Sequence, residues 1–456
     1  MPGTADQVMA QQHKVFTVGT LTYTSGGMVT LFAWLLWGDF IFTFMEAVLP
    51  SLLPLLLKDH GASDTEIAVI VSTIYMIMNA LLCPIISYRS DRFRSRWGRR
   101  RPFIFVSTPF VVLFLAAIPF APDILRALTS IKFLATLLSS TPIAPVVLTF
   151  GFLVACFQVF HMFVASVYYY LIPDVVPEDY LGRFYALFRV FGTLAGVFFN
   201  YSVFGLAETH MREIFVGSAL AYGIFIYVVC WRVKEGRYPR VPEDERTHWW
   251  DSVKTYASEC FGYTYYWWVF LAYSAWTWAV AGNVFAVFFY QKVIGLNLDE
   301  IGKINAWSGG IFLVLAYPFG VMVDRWGSHR CLILGMGAMA GSSLGMFLLA
   351  SDLSSAFLWS ILRNAAVMFS AMVLLKWTVD VYPRERYGQF GSAGALFSSI
   401  GGIFLGPACG WAMQWIKDYR YFLLWNTLFA VVGFVAAMVV YRRWRHFGGP
   451  TEYRAP

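Results

Sequence analysis

Twelve long apolar segments restrict what this chain can fold into more than any other feature of its sequence. Each has about 20 residues or more, the length that a helix needs to cross the hydrocarbon core of a bilayer. The sequence therefore predicts an all-α membrane protein with twelve transmembrane helices. We expect them at about 29–56, 66–88, 102–121, 145–172, 183–206, 213–233, 264–290, 300–322, 330–350, 355–380, 389–415 and 421–441.

The composition also favours burial in lipid. Hydrophobic residues make up 58% of the chain and charged residues only 13%, whereas about a quarter of the residues of a soluble protein are charged. The net charge of +7 would suit nucleic acid, but the basic residues fall in short clusters between apolar segments. That distribution is typical of membrane proteins. We predict a lipid bilayer as partner, and no nucleic acid.

Signatures of catalysis and of cofactors are missing from the sequence. The six cysteines lie far apart without metal or redox spacing, which disfavours disulfides and zinc sites. No Walker A, GxGxxG, HExxH or nucleophile-elbow pattern occurs. We therefore predict that the chain is not an enzyme, holds no metal or cofactor, and does not pump with ATP on its own.

The distribution of Lys and Arg predicts the orientation in the membrane. With twelve spans, both termini lie on one side, and that side holds 23 of the 34 basic residues. The opposite turns hold 8, and 3 lie deeper within spans. Because cytoplasmic loops carry the excess of Lys and Arg, we expect both termini of this multi-pass protein in the cytoplasm, at the plasma (inner) membrane.

The two halves of the chain resemble each other. At a constant offset of 206, eight identities fall within 25 aligned positions, from Asp174 and Phe198 in one half to Asp380 and Phe404 in the other. Many secondary transporters are built from such repeats around a central site. We predict two six-helix bundles, residues 1–234 and 264–456, joined by a polar cytoplasmic linker at 235–263.

Two charged motifs follow the second and eighth helices, Asp91-Arg92 through Arg99-Arg100 and Asp324-Arg325-Trp326-Gly327. In both motifs the chain resembles the major facilitator superfamily. The segment from Arg94 to Pro102 is similar to the glycoside–pentoside–hexuronide cation symporters, which include melibiose permease. Residues 98–103, GRRRPF, resemble the related proton-coupled sucrose transporters, and further matches lie at 37–40, 171–177 and 189–196. The resemblance implies secondary active transport by alternating access, as proton-coupled uptake of a sugar or glycoside.

Asp39 and Glu46 are the carboxylates best placed for proton coupling. They lie seven residues apart in helix 1 and so face the same way, each within about 10 Å of the helix midpoint. A charge at that depth costs roughly 2.5–3.5 kcal/mol, which favours a polar cavity, a partner or the protonated form. Both residues are candidate proton carriers; the alternative is a structural carboxylate.

Arg189 in helix 5 is the expected partner of Asp39. Its forked guanidinium suits adjacent sugar hydroxyls while the carboxylate accepts hydrogen bonds. In the melibiose-permease group the aligned Asp and Arg contact the sugar, so the resemblance implies that role for Asp39 and Arg189. The alternative is a salt bridge that packs the two helices.

The positions that bind the coupling ion in sodium-dependent members differ here. Those members place two carboxylates on helix 2 and one on helix 4, and the aligned residues here are Asn79, Cys83 and Ala165. Because sodium needs several oxygen ligands, we expect proton coupling, or no coupling. His161, in the middle of helix 4, is a candidate proton relay or a hydrogen-bonded packing residue.

In the second half, Arg363 is a candidate ligand for a substrate carboxylate or glycosidic oxygen, or it extends to the outer interface. Trp276 with Asn283 is a plausible sugar half-site, since sugars stack on aromatic rings. Trp37 and Trp307 are further candidates, against lipid-facing or packing roles. For Lys376 we expect a local ion pair with Asp380.

The charged motifs are candidates for a cytoplasmic gate. Asp91 and Arg92 would pair with Arg183 or Asp174, and Asp324 and Arg325 with Asp380. The alternative is that the arginines only set the topology, although acidic residues contribute little to orientation.

Two other functions stay open on the sequence alone. An exporter of amphiphilic drugs would use the same aromatic lining, with the helix 1 carboxylates attracting cations. A non-transporting sugar sensor would bind the sugar without moving it. We expect the chain to be a monomer.

Overall fold

The computed structural model describes residues 16–131, 143–236, 258–383, 386–449, 453 and 455–456, without the side chains of Tyr88 and Asp91. Within these residues, twelve helices are long and apolar enough to cross a membrane, as predicted. They are α1 Ser25–Asp59, α2 Asp64–Ser87, α3 Arg101–Thr129, α4 Pro145–Val175, α5 Glu178–Ser202, α6 Phe204–Arg232, α7 Thr264–Ile294, α8 Leu298–Trp326, α9 Ser328–Leu349, α10 Leu353–Val381, α11 Tyr387–Ile416 and α12 Tyr419–His446.

A short hairpin precedes the first helix. Strands β1 Phe16–Val18 and β2 Leu21–Tyr23 pair antiparallel. The hairpin was not predicted, because three-residue strands leave almost no periodic signal.

Polar caps set the starts of three helices in the turns that follow odd-numbered helices. At α2, the Ser63 hydroxyl accepts from the Glu66 amide at 3.2 Å, and the Glu66 carboxylate accepts from the Ser63 amide at 2.7 Å. Asn297 and Glu300 form the same reciprocal arrangement at α8. At α10, Asp352 and Ser355 are the two capping residues. Such capping boxes satisfy free amides at a helix start.

Helices α2 and α7 each contain a π turn within the span. Helix α7 changes to a 3-10 turn at Gly282–Phe285 and to a π turn at Phe289–Ile294. Helix α2 contains a π turn at Val69–Thr73. Irregular turns of this kind frequently occur at functional sites.

The described residues group into two compact units. One comprises residues 16–49, 81–198 and 210–236, and the other 50–80, 199–209 and the described part of 258–456. The second unit therefore includes the ends of α1, α2, α5 and α6 that adjoin the turns α1–α2 and α5–α6. The predicted linker at 235–263 lies largely outside the described residues, and the predicted domain limits stay a prediction.

Helix packing in the second unit depends on glycine. A Cβ at Gly410 of α11 would lie 2.5 Å from the Asp64 carbonyl oxygen of α2, and one at Gly302 of α8 would lie 2.3 Å from the Asn200 carbonyl oxygen of α5. Only glycine permits these approaches. Helices from the first half of the sequence thus pack directly on helices from the second half within this unit.

Candidate functional site

Asp39 is a buried carboxylate that lacks a full set of hydrogen bonds. Only 1% of the residue is exposed. Its Oδ1 accepts from the Thr43 hydroxyl at 3.5 Å, and its Oδ2 has no hydrogen-bond partner among the described residues. Buried polar atoms are normally satisfied, so an unsatisfied carboxylate oxygen marks a place for a proton, a water or a ligand.

Two glycines allow the helices to pack closely around Asp39. A Cβ at Gly38 would lie 2.7 Å from the Tyr168 hydroxyl, which donates to the Leu35 carbonyl of α1 at 2.6 Å. A Cβ at Gly192 of α5 would lie 3.3 Å from Asp39 Oδ2. Helices α4 and α5 therefore approach α1 closely at Asp39.

Arg189 lies one helical turn before Gly192 and so near the α5 face that meets α1. The charge of its guanidinium acts on the Asp39 carboxylate, yet the two groups form no ion pair among the described residues. The Arg189 side chain is exposed. The alternative of a helix-packing salt bridge between Asp39 and Arg189 is therefore wrong for this conformation.

Glu46 and His161 form the second part of the site. The Nε2 atom of His161 lies 3.3 Å from Glu46 Oε1. The imidazole stacks on the rings of Phe42 and Phe157, with centroids 5.6 Å and 5.1 Å away. These contacts fix the ring plane, and Nδ1 is buried without a hydrogen-bond partner among the described residues. His161 thus has a carboxylate at one nitrogen and an unsatisfied second nitrogen.

Two further buried polar atoms near Phe42 and His161 lack partners among the described residues and were not identified from the sequence. They are Gln158 Oε1 and the Tyr222 hydroxyl. Gln158 lies one turn before His161 on α4, and the Tyr222 ring lies 6.2 Å from that of Phe42. The spacing of Gln158 and His161 in an apolar helix was a usable signal. Tyr222 gave no usable sequence signal, because the chain contains many tyrosines.

The positions aligned with sodium ligands carry no carboxylate. Cys83 Sγ lies 3.4 Å from Ser166 Oγ, so α2 and α4 meet at these positions. In the described part of the chain, no group of three or more His, Cys, Asp or Glu side chains is arranged to hold a metal ion.

In the second unit, Arg363 contacts uncharged groups of α7 and α12. Its guanidinium donates to Asn283 Oδ1 at 3.0 Å, and the Asn426 amide lies 2.9 Å from the same oxygen. The ring of Phe422 lies 5.5 Å from the guanidinium. Extension of Arg363 to the outer interface is therefore wrong, since the side chain packs against these helices.

The three candidate tryptophans occupy different environments. The Trp276 indole donates to the Val367 carbonyl of α10 at 3.2 Å, so its polar edge is occupied by packing. Trp37 is 41% exposed and stacks on Phe40 with centroids 5.7 Å apart. Trp307 is 57% exposed. Trp37 and Trp307 thus retain open surface.

Asp174, a residue of the first candidate gate, forms ion pairs near the start of α3. Asp174 binds Arg99 at 2.6 Å and Arg100 at 3.2 Å. The side chain of Asp91 lies outside the described residues, and Arg183 stacks over the Tyr180 ring at 5.5 Å. Arg92 is exposed. Asp174 is thus bound by two arginines that precede α3. The predicted pairing of Asp91 and Arg92 with Arg183 or Asp174 stays a prediction.

Glu235 completes this cluster and was missed from the sequence. Its carboxylate accepts from the backbone amides of Arg99, Arg100 and Arg101 at the start of α3. A carboxylate at a helix start satisfies free amides and complements the helix dipole. A lone Glu after α6 gives no sequence signal for partners that lie 134 to 136 residues earlier in the chain.

In the second half, the predicted pair of Lys376 with Asp380 is wrong. Lys376 binds Asp324 of α8 at 2.7 Å, and Asp380 accepts from the Ser328 hydroxyl at 2.5 Å. Ser328 is the first residue of α9, where the helix dipole favours a carboxylate. Pairing of Asp324 or Arg325 with Asp380 is also wrong; Arg325 is exposed and makes no ion pair in the described part of the chain.

Comparisons with known proteins agree on one family. The sequence profile of the Major Facilitator Superfamily matches residues 35–407. No curated protein matches the chain significantly.

Three solved structures illustrate the similarity. A bacterial homologue of the iron transporter ferroportin in the inward-facing state has a TM-score of 0.67 at 13% identity, covering 91% of this chain and 99% of its own. The nucleoside transporter NupG has a TM-score of 0.67 at 12% identity, covering 90% of this chain and 100% of its own. A D-xylose-proton symporter has a TM-score of 0.66 at 14% identity, covering 91% of this chain and 98% of its own. At these identities the likeness shows the fold alone. Since the family profile covers most of the sequence and the fold agrees, the chain belongs to the Major Facilitator Superfamily and is a multi-pass membrane transporter rather than an enzyme.

Proposed function

We propose that the protein takes up a sugar or glycoside together with protons by alternating access. It would act at the plasma (inner) membrane with both termini in the cytoplasm. The observation that carries the proposal is the buried Asp39 carboxylate, whose Oδ2 has no partner among the described residues although Arg189 is within electrostatic range.

Substrate recognition would use the polar groups around Asp39. A carboxylate accepts hydrogen bonds from sugar hydroxyls, and a guanidinium that is not held in an ion pair keeps its donors for the same ligand. Trp37 stays a predicted substrate contact through its exposed surface, although residues two apart on a helix do not face the same side. In the second half, Trp276, Asn283, Trp307 and Arg363 stay predicted substrate contacts, with Arg363 acting through Asn283.

Proton coupling would use the same carboxylate. In an apolar surrounding the protonated form of Asp39 costs less than the charged form. A proton on Oδ2 would occupy the unsatisfied position and give the residue a donor for the substrate. Glu46 and His161, joined at 3.3 Å, would carry the proton between Asp39 and the aqueous side.

Alternating access is supported by the packing in the second unit. The ends of α2 and α5 pack on α11 and α8 through Gly410 and Gly302. With the termini in the cytoplasm, these contacts close the outer side. Separation of the same helix contacts would open the outer side to the substrate. The Asp174–Arg99–Arg100 cluster and the Lys376–Asp324 pair belong to the proposed cytoplasmic side.

The test is proton-driven uptake by Asp39→Asn in reconstituted vesicles. We expect accumulation in response to a pH gradient to be abolished, because the amide cannot carry a proton. Asp59→Asn is the matched control, since Asp59 lies on the same helix but is exposed; it should accumulate normally. Full accumulation by Asp39→Asn vesicles would refute the mechanism.

The substrate class needs a separate measurement. A thermal-shift screen of mono- and disaccharides at two pH values should show stabilisation by one sugar class. Lipophilic cations belong in the same screen, because stabilisation by them and not by sugars would indicate an exporter of amphiphilic drugs. Binding of a sugar without accumulation in vesicles would indicate a sensor.

A further inference from the structure

A basic pocket lies in the second unit where the turns α1–α2, α7–α8 and α11–α12 meet. It encloses about 380 Å³. Its lining comprises Lys58, Ser63, Asp64, Lys292, Met413, Gln414, Lys417 and Tyr419. Pockets that bind small ligands start at about 300 Å³, so this one has room for a small anion with its hydration.

Positive charge exceeds negative charge in this pocket. Lys58 binds Asp64 Oδ1 at 2.6 Å, and the Tyr419 hydroxyl donates to the same oxygen at 2.9 Å. Lys292 and Lys417 pair with no carboxylate in the described part of the chain. The pocket lining therefore contains three lysines and one aspartate.

Two neighbouring acidic side chains form hydrogen bonds outside the pocket lysines. Glu66 is held in the capping box with Ser63. The Asp418 carboxylate accepts from the Arg420 amide at 2.8 Å. Neither is bonded to the ammonium groups, so the excess of positive charge is not neutralised by these two residues.

Two of the ammonium groups share the same aromatic surface. Lys58 Nζ lies 5.9 Å and 5.7 Å from the ring centroids of Phe288 and Tyr419, and Lys292 Nζ lies 5.7 Å and 5.4 Å from the same two rings. The rings attract each cation weakly. They do not remove the repulsion between the two charges, whereas an anion between them would.

Lys417 adds a third charge at a position that does not favour lysine. It follows α11 with φ of 60°, a left-handed conformation at which glycine or asparagine is preferred. Moreover, three of the eight basic residues on the side opposite the termini line this one pocket. Orientation in the membrane does not require basic residues on that side.

We propose that this pocket binds a phosphate group, either of free inorganic phosphate or of a lipid headgroup. Lysine binds phosphate as a point charge, and the two excess positive charges match the charge of about −1.5 to −2 that inorganic phosphate, or the phosphomonoester headgroup of phosphatidic acid, carries near neutral pH. The lysines belong to α1, α7 and α11, so a bound phosphate joins helices of both sequence halves. It therefore stabilises the packed arrangement of their ends. The binding itself does not depend on the proposed transport function.

Binding is tested on the purified full-length protein by thermal shift. Inorganic phosphate at millimolar concentration should raise the melting temperature more than chloride at equal ionic strength. The double variant Lys292→Gln with Lys417→Gln should lose that difference. Lys303→Gln is the matched control, because Lys303 lies on the same side but pairs with Asp299 and is absent from the pocket lining; it should respond like the natural protein.

The source of the phosphate is tested in nanodiscs of phosphatidylcholine with and without phosphatidic acid, whose headgroup is a phosphomonoester. A lysine-dependent stabilisation by the anionic lipid assigns the headgroup, and one by free phosphate alone assigns the inorganic ion. Equal effects of phosphate and chloride, or an unchanged response of the double variant to both sources, would overturn the proposal. Sugar uptake is not read in these assays, so failure of the proposed function would leave their result intact.

Discussion

Asp39 and Glu46 show how two carboxylates on one helix face take different roles. Asp39 is 1% exposed and has an unsatisfied oxygen, whereas the Glu46 side chain is 39% exposed and lies beside His161. In our proposal the buried Asp39 meets the substrate, whereas the exposed Glu46 exchanges protons with water and passes them to the buried His161. The seven-residue spacing predicted their common face, but only the packing of α4 and α5 distinguishes them.

The relay role of His161 predicts a selective defect in His161→Gln. Glutamine keeps a hydrogen-bonding side chain but does not titrate near neutral pH. We expect proton-driven uptake to fall by about tenfold or more, with a flattened pH profile and unchanged sugar binding. His60→Gln is the control, because His60 lies in the α1–α2 turn and bonds the Leu56 carbonyl. A pH profile of His161→Gln identical to that of the natural protein would exclude the relay.

The close approach of α5 to Asp39 predicts sensitivity at Gly192. A Cβ there would lie 3.3 Å from Asp39 Oδ2 and 3.4 Å from Thr43 Oγ1. The larger side chain of Gly192→Leu should fill the space beside the carboxylate and weaken sugar binding by about tenfold or more, roughly 1.4 kcal/mol. Gly196→Leu on the same helix meets no atom within 4 Å of its Cβ and should bind normally. Isothermal titration of both variants checks this; equal affinities would place the ligand elsewhere.

At the scale of helices, the proposed outer gate would depend on the backbone contact at Gly410. A Cβ there would lie 2.5 Å from the Asp64 oxygen and 2.8 Å from the Thr65 Cα, so backbone must move. We expect Gly410→Leu to separate α2 from α11 and to abolish transport. Gly391→Leu on α11 meets no atom within 4 Å of its Cβ and should transport.

Cys409 reports the state of this contact directly. It is 1% exposed and adjoins Gly410. A membrane-impermeant maleimide should label Cys409 in Gly410→Leu but not in Gly391→Leu, with Cys409→Ser backgrounds subtracting the other thiols. Unchanged labelling in Gly410→Leu would show that the contact is not part of a gate.

The sequence predicted helices better than contacts. Each predicted span matches an observed helix, and most ends differ by only a few residues, because apolar length is a local property. Asp380 illustrates the limit: its spacing from Lys376 favoured a local pair, yet the start of α9 provides a better partner in Ser328. Which of the two residues pairs with Asp380 depends on tertiary packing, and the periodicity of the sequence carries no information about that packing.

For the whole molecule, some residues of the candidate site could be predicted from the sequence, and others are evident only in the folded protein. A carboxylate stands out in an apolar helix, so Asp39 and Glu46 could be chosen as candidate residues from the sequence alone. Gln158 and Tyr222 matter because their polar atoms lack hydrogen-bond partners among the residues that the structure describes. That property arises only when α4 and α6 pack against α1.

The driving ion is a property of the whole transporter. Sodium requires several oxygen ligands, and the positions aligned with a sodium site hold Asn79, Cys83 and Ala165, with Cys83 against Ser166. Uptake in sodium-free vesicles should therefore follow an imposed pH gradient, and sodium in place of choline should leave it within about twofold. A proton ionophore should stop accumulation while leaving exchange of labelled for unlabelled sugar, since exchange needs no net proton movement. Uptake that requires sodium at fixed pH would contradict the assignment, because the carboxylates of α1 alone would then have to hold the metal ion.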